Sequence, residues 1–251
     1  MAYRHDSDLA FLGEVESGDL DDLVYILTHD KDGAVRFTEE LTVSDTYKKY
    51  SPDHHQYWQL IAAEIQCFGA NTFATALRGG KGVPYKEVLM DACDKMKVNY
   101  NKDASVETIE NNMLMKILSD AIEKMTPEQL KELAIATGVK NTSKMTPEAM
   151  TGLFQAIFRA GGFKSYQLTL IVVNAVLKAI LGRGLTLAGN AALTRAVAVL
   201  TGPIGWAITG LWTAIDIAGT AYRVTIPAVI QVAALRQQHM YGQQAEEASF
   251  T

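Results

Sequence analysis

The sequence predicts an all-α protein, a multi-helix bundle with an acidic outer N-terminal half and a strongly apolar C-terminal helical half. Three observations support this class. Apolar residues recur at the spacing of helices, strand-like alternation is scarce, and charge is distributed unequally along the chain. Residues 1 to 164 hold 18 basic and 25 acidic side chains, whereas residues 165 to 251 hold 5 and 3. The two halves therefore differ in surface chemistry.

The composition excludes several classes of protein. The chain has 251 residues, of which 48% are hydrophobic and 20% charged, a balance that supports a buried core. Its net charge of −5 provides no positive field for a polyphosphate backbone, so we expect no nucleic-acid partner. Cys67 and Cys93 are too few for a disulfide scaffold, and the charged N-terminus does not resemble a signal peptide. We therefore expect a cytoplasmic protein.

The first half divides into a short helical module over residues 1–40 and an acidic helical region over 41–164. In the module, Asp6, Ser7 and Asp8 are cap candidates for a first short helix, and Ser17 to Asp19 supply candidates for a second. The clearest helix of the acidic region lies in the segment PDHHQYWQLIAAEIQCFG, where aromatic and aliphatic residues recur at helical spacing. Both regions are therefore expected to be helical.

Two similar segments follow in the acidic region, KMTPEQLKELAIATG from Lys124 and KMTPEAMTGLFQAIFRAGG from Lys144. Each Thr-Pro-Glu is a helix start, because the threonine caps free amides and the proline fits the first turn. The segments predict two helices capped by Thr126 and Thr146. Such starts recur wherever helices begin, so the similarity does not indicate a repeat protein.

The second half consists of an apolar helical region over 165–236 and a flexible polar tail over 237–251. The apolar region contains too few charged residues to form a water-facing surface over its whole length, so most of it must be buried. Protein, another copy of the chain or lipid could bury it, which leaves a homo-oligomer and a membrane association open. Its charged residues before Leu235 are Lys178, Arg183, Arg195, Asp216 and Arg223.

The longest uncharged run, Ala196 to Ile215, has 20 residues, the length that a membrane-spanning helix needs. Gly202 and Pro203 interrupt it, so a hairpin entering one leaflet fits better than a single span. The alternative is a buried hairpin in a soluble helical core. In either case the buried residues would be Ile204, Trp206, Ile208, Leu211, Trp212 and Ile215.

Two charges inside the apolar region are spaced so that they can pair. Asp216 and Arg223 are seven residues apart, about two helical turns, and share a face if one helix continues through both. An unpaired charge would be costly in a dry environment. We therefore predict a buried ion pair between them.

One loop falls partly into the register of a calcium-binding EF-hand, the twelve residues Thr28 to Glu39. Asp30 and Asp32 would be ligands at positions three and five, and Glu39 the bidentate ligand at position twelve. Gly33 lies at position six, where the loop turns sharply. A threonine at position one and an arginine at position nine depart from the pattern, so an ordinary turn is the alternative. Calcium is the one cofactor that the sequence suggests.

The remaining candidate residues do not match the patterns of zinc, phosphate-binding or catalytic sites. His54 and His55 are adjacent, so they cannot form the spaced pair of a zinc helix and are expected at the surface or in a helical first turn. The segment RGGKG lacks the spacing of a phosphate-binding loop. No catalytic signature is present, and we expect a protein that is not an enzyme.

Several segments together resemble the YaaW-like family of uncharacterised bacterial proteins. They are DSDLAFL, LTHDKDG, YWQLIAAEIQCFGANTFATALRGGKG, YKEVLMDAC, TGPIGWAI and AYRVTIPAVIQVAALR. The resemblance spans most of the chain. It implies an N-terminal module followed by a helical region similar to the ubiquinol-cytochrome c chaperone group, with the apolar half outside that likeness. It implies no catalytic residues.

These observations favour a non-enzymatic binding or chaperone-like protein with an unidentified protein partner. A second hypothesis is a membrane-active or pore-forming protein that inserts the 196–215 hairpin, which would place the chain peripherally or conditionally within the inner membrane. A third is a calcium-responsive regulator that uses the loop 28–39.

Overall fold

The computed structural model describes residues 2–30, 33–36, 40–68, 82–142, 145–181, 198–203 and 221–249. These residues form helices and no β-strand, which confirms the all-helical class; His29 and Val35 make an isolated antiparallel bridge. Two short 3-10 helices cover Ala10–Glu14 and His54–Tyr57. The α-helices are α1 (Ser17–Thr28), α2 (Asp45–Tyr50), α3 (Trp58–Phe68), α4 (Tyr85–Lys95), α5 (Val106–Ile122), α6 (Pro127–Ala136), α7 (Pro147–Ala160), α8 (Gly162–Leu181) and α9 (Tyr222–Ser249).

The two predicted Thr-Pro-Glu helix starts are confirmed as the first turns of α6 and α7. The Thr126 hydroxyl accepts the N–H of Gln129 at 3.3 Å, and the Gln129 side chain accepts the N–H of Thr126 at 2.9 Å. The Thr146 hydroxyl accepts the N–H of Ala149 at 3.2 Å. These bonds satisfy backbone groups that have no partner within the helix.

No residue from Ser17 to Asp19 is the N-cap of α1, so that prediction is wrong. The N-cap position is Glu16, whose side chain makes no capping bond. The Ser17 hydroxyl instead donates to Asp53 Oδ1 at 2.6 Å and accepts the N–H of His55 at 3.0 Å. Ser17 therefore joins the N-terminal module to the chain that leads into α3.

The first residues of the chain are also tied to the helices that follow. The Gln66 side chain on α3 accepts the N–H of Arg4 at 3.0 Å and donates to the Arg4 carbonyl at 2.8 Å. The Asp6 carboxylate accepts the N–H of Tyr85, the first residue of α4, at 2.6 Å. Asp6 thus holds a helix start far away in sequence, in addition to ordering its own turn.

The centre of the bundle is α9, which packs against α1, α3, α4, α5 and α8. Every residue from Val224 to Leu235 is buried, although this stretch includes Pro227. A helix that is buried on all sides needs apolar residues around its whole circumference. For this part of the apolar region, the chain itself therefore supplies the burying surface.

Helix α8 packs along α9 and runs antiparallel to it. Gly161, just before α8, lies beside Tyr241 near the far end of α9, and a Cβ at Gly161 would be 3.6 Å from the Tyr241 hydroxyl. The described part of α8 is buried over most of its length, including Val172, Val173 and Val176. No helix that the structure describes has the length and mean hydropathy that a membrane span requires.

The core draws on both halves of the chain, so the predicted contrast between an outer and an inner half is too simple. Helices α1, α3, α4 and α5 each contribute fully buried aliphatic side chains to the same cluster as α8 and α9. Examples from the acidic half are Leu23, Ile61, Leu89 and Leu118. Acidic residues such as Asp21, Glu87 and Asp91 lie on the exposed faces of these helices, whereas Asp22, Glu64 and Glu110 are buried.

Candidate binding cleft

Most residues of the predicted hairpin and ion pair lie outside the described residues. These are Ile204, Trp206, Ile208, Leu211, Trp212, Ile215 and Asp216. Arg223 is described, and it lies exposed in the first turn of α9. The hairpin and the Asp216–Arg223 pair therefore stay predictions.

The structure describes only part of the predicted calcium loop, because Asp32 and Glu39 lie outside the described residues. Asp30 Oδ1 accepts the N–H of Ala34 at 2.9 Å, and the Asp30 N–H donates to the Ala34 carbonyl at 2.8 Å. Gly33 has the positive φ of 81° that such a turn requires. Asp30 thus has a role in an ordinary tight turn, and calcium binding stays a prediction. The described residues contain no group of three side chains suited to a metal ion.

Both histidines lie in the first turn of the 3-10 helix His54–Tyr57, one of the two positions expected for them, and His54 is buried there. The His54 ring lies between the Tyr57 hydroxyl, which is bonded to Nδ1, and Asp21 Oδ1, which is 2.8 Å from Nε2. Burial lowers the pKa of His54, and the carboxylate of Asp21 opposes that shift in part. His54 therefore joins α1 to the start of α3.

A buried polar cluster joins α4, α5 and α9 at the centre of the bundle. The Tyr85 hydroxyl donates to Glu110 Oε1 at 2.7 Å, and Arg236 Nε donates to Glu110 Oε2 at 2.9 Å. Arg236 also donates to the Asp8 carbonyl at 2.8 Å and lies over the ring of Phe11, 4.6 Å from its centre. This cluster connects the N-terminal module to the central helix.

The cluster is saturated with internal partners and has a structural role. Glu110 is 1% exposed, and burial raises the pKa of its carboxyl group despite the opposing charge of Arg236. Burial likewise raises the pKa of Tyr85 well above its ordinary value, so its hydroxyl stays protonated and can donate. Both oxygens of Glu110 already accept hydrogen bonds from side chains of the core.

The candidate binding site is an open cleft of about 780 Å³ between α5, the last turn of α7 and Tyr241 of α9. Its volume is in the range of ligand-binding pockets. The described lining is rich in side-chain amides and hydroxyls, together with a few apolar and charged groups. The polar residues are Asn99, Asn111, Asn112, Gln155, Thr108, Ser119, Glu107, Lys116 and Arg159.

One amide of the cleft has an unsatisfied oxygen. Asn111 Oδ1 is buried and has no hydrogen-bond partner. The amide of Gln237, on the adjoining face of α9, donates from Nε2 to Glu107 Oε1 at 3.3 Å, while its Oε1 is also buried and without a partner. Buried polar atoms nearly always have hydrogen-bond partners, so these two oxygens are exceptions in this part of the core.

The cations of the cleft differ in how they are used. Lys116 forms an ion pair with Asp120 one turn later on α5. Arg159 is exposed in the last turn of α7, where its charge also suits the helix dipole. The Met115 and Phe158 side chains provide the apolar part of the lining. The cleft can therefore contact both polar and apolar parts of a ligand.

Sequence reasoning did not find this cleft or the Tyr85–Glu110–Arg236 cluster. A weak signal was present: Glu107 and Asn111 are four residues apart and lie on one face of α5. A polar pair at this spacing also occurs on ordinary solvated faces. Whether the pair lines a cleft or a solvated face depends on the packing of α7 and α9, which are distant in sequence.

Comparisons with known proteins agree with the resemblance noted in the sequence. A UPF0174 protein of Helicobacter pylori strain J99 is 53% identical over 247 residues, which cover 98% of this chain and 96% of that protein. The UPF0174 protein YaaW of Escherichia coli K12 is 34% identical over 240 residues, 94% and 95% of the two chains. The chain belongs to the UPF0174 family.

Two family models add detail to this membership. The model described as ubiquinol-cytochrome C chaperone matches residues 53–230, and a domain of unknown function, DUF3944, matches residues 3–37. The first match continues through α8 into α9, so the expectation that the apolar half lies outside the chaperone likeness is wrong. Both the cleft-forming α5 and α7 lie within it. No solved structure matches the chain.

Proposed function

We propose that the protein is a chaperone-like binding protein that holds a segment of another polypeptide in the amide-lined cleft. The observation that carries this proposal is the set of four side-chain amides that line the cleft, Asn99, Asn111, Asn112 and Gln155. An amide side chain has the same donor and acceptor groups as the peptide backbone. Such a lining can pair with a backbone whatever its side chains are.

The apolar part of the lining supports the same proposal. Met115 and Phe158 lie in the cleft beside the amides, and methionine adapts to differently shaped partners because its side chain is unbranched and flexible. An unfolded segment presents unpaired backbone groups together with apolar side chains. The membership of a family whose model is described as a chaperone agrees with this ligand class.

The test measures the binding of labelled, unstructured peptides of mixed sequence to the full chain and to the variant Asn111→Leu. Fluorescence anisotropy of the labelled peptides reports the binding. Removing an unsatisfied buried acceptor leaves folding unharmed or improves it. We expect Asn111→Leu to keep its thermal stability and to bind the peptides about fivefold or more weakly.

Two further variants serve as a matched pair. Gln155→Ala removes an exposed amide inside the cleft, and Gln56→Ala removes an exposed amide outside it. We expect weaker binding in the first variant and unchanged binding in the second. The proposal fails if the natural chain binds none of the peptides, or if Asn111→Leu and Gln155→Ala bind them as tightly as Gln56→Ala does.

A further inference from the structure

We infer that the cleft binds its polypeptide segment in an extended conformation, as about five to six residues that lie along α5 with every second side chain on the apolar part of the lining. This inference rests on the proposed function and specifies the conformation, the length and the side-chain pattern of the segment. It follows from the length, the width and the chemistry of the cleft.

The length of the cleft is set by one face of α5. The residues of α5 that line the cleft recur at the spacing of a single helix face, and they are Glu107, Thr108, Asn111, Asn112, Met115, Lys116 and Ser119. From Glu107 to Ser119 the helix rises by about 18 Å, at about 1.5 Å per residue. A strand rises by about 3.3 Å per residue, so about five to six residues of extended chain match this length.

The width of the cleft also suits an extended chain. A volume of about 780 Å³ distributed over a length of about 18 Å corresponds to a mean cross-section of about 43 Å². An extended chain packed in sheets occupies about 4.8 Å by about 10 Å, or about 48 Å². An α-helix with its side chains is about 10 to 12 Å wide and occupies about 80 to 110 Å². A helix would therefore remain about half outside the cleft, whereas an extended chain can enter it.

The amides of the lining favour the same conformation. Asn99, Asn112 and Gln155 lie on the loop after α4, on α5 and on α7, and within the described residues no hydrogen bond occupies their side-chain amides. The backbone groups inside a helix are bonded to one another, so a helical ligand offers these amides few partners. An extended segment presents a free N–H and a free C=O at each residue other than proline. Amides on facing helices can therefore bind the backbone of one extended segment from two sides.

The apolar part of the lining adds a side-chain pattern. It consists of Val98, Met115 and Phe158, which are 8%, 9% and 7% exposed and so lie deepest in the cleft. Thr108 and Gln155 of the polar lining are exposed. Successive side chains of a strand point to opposite faces. A segment with apolar residues at every second position thus directs all of them inward and its polar residues toward water.

The experiment compares four labelled peptides by fluorescence anisotropy. All are uncharged and blocked at both ends, so that the charges of Glu107, Lys116 and Arg159 do not decide the result. The first has six residues with apolar and polar side chains in alternation, and the second has the same residues with the three apolar ones consecutive. The third is the first with N-methyl groups in place of its backbone N–H groups. The fourth is a stapled helix with three apolar side chains on one face.

We expect the first peptide to bind about tenfold more tightly than each of the others. The second lacks the alternation, the third lacks the backbone donors, and the backbone groups of the fourth are bonded within its own helix. Alternating peptides of three, six and nine residues test the length. Their affinity should rise about tenfold from three to six residues and less than threefold from six to nine.

The variant Asn112→Ala and its control Gln59→Ala test the contribution of the amides. Gln59 is an exposed amide on α3 and does not line the cleft. We expect Asn112→Ala to bind the first peptide about fivefold more weakly and the helical fourth peptide as the natural chain does. Gln59→Ala should bind both peptides as the natural chain does, and all three proteins should melt at similar temperatures.

The possible failures are distinguishable. Equal binding of the first, third and fourth peptides would overturn the extended conformation and leave polypeptide binding intact. Binding of the second peptide as tight as that of the first would overturn the alternation, and an equal tenfold rise from six to nine residues would overturn the length. Absence of binding by every peptide would overturn the proposed function as well.

Discussion

The Arg236→Met substitution tests whether the buried ion pair holds the N-terminal module and the central helix together. Methionine keeps an apolar stem for packing near Phe11 and removes the charge that Glu110 contacts at 2.9 Å. Glu110 then keeps only the hydroxyl of Tyr85 as a partner. A carboxylate that is 1% exposed is left without a cation.

We expect this variant to lose about 3 to 5 kcal/mol of the free energy of unfolding, the usual cost of removing one partner from a buried ion pair. That is a large part of the roughly 5 to 15 kcal/mol that stabilises a typical domain. The double variant Glu110→Gln, Arg236→Met removes both charges. It should lose only about 1 kcal/mol, chiefly because the Asp8 carbonyl loses its donor.

The assay is urea unfolding of the three proteins, followed by far-UV circular dichroism at neutral pH and near pH 5. Burial already raises the pKa of Glu110, and the loss of Arg236 raises it further. The deficit of the single variant is therefore complete above the folded-state pKa. It shrinks as pH falls through that value, because the folded protein then binds the proton more tightly than the unfolded chain.

Two results would refute this reasoning. One is a single variant that is as stable as the double variant at neutral pH. The other is a deficit, relative to the natural chain, that is the same at both pH values. Either result would mean that Glu110 reaches water or another cation when Arg236 is absent.

Three further predictions concern local features. Burial lowers the pKa of His54, so the stability contributed by its neutral ring is present above the ordinary pKa and is lost as pH falls through the lowered value. We therefore expect the urea concentration at the unfolding midpoint to decrease when the pH is below about 6, and to decrease less in His54→Gln. Thr126→Ala removes the bond that the Thr126 hydroxyl accepts from the N–H of Gln129 and should cost about 1 kcal/mol in thermal unfolding, whereas Thr126→Ser keeps the hydroxyl and should cost much less. Gly161→Ala places a side chain at φ 66° and ψ −158°, a conformation largely reserved for glycine, and should cost about 1 to 3 kcal/mol. The control Gly152→Ala, at an exposed position inside α7, should instead gain up to about 1 kcal/mol.

Local sequence was sufficient to predict features that depend only on residues close together in the chain. Thr126 and Thr146 cap the helices that they were predicted to start, because a helix needs acceptors for its first N–H groups within a few residues. The all-helical class followed from apolar spacing for the same reason. Where a distant partner competes, the local rule failed: Ser17 bonds with Asp53 and His55 instead of capping α1.

The sequence predicted that the apolar region is buried, but it did not predict which helices cover it. The scarcity of charge after Ser165 indicated that this region must be covered, and Val224 to Leu235 is covered by α8 together with helices from the acidic half. The sequence did not reveal that the acidic half would share the same core. A composition average combines the two faces of an amphipathic helix, so it hides an apolar inner face behind a charged outer one.

The sequence by itself thus determined the helical class, the helix starts and the need to bury the second half, because each depends on neighbouring residues. Only the tertiary structure decided the chemistry of the sites. Glu110 and Arg236 are 126 residues apart, and Glu107 and Gln237 are 130 apart. Their meeting depends on how α5 and α9 pack, and packing is set by the whole core. No local pattern records which polar groups the core will bring together.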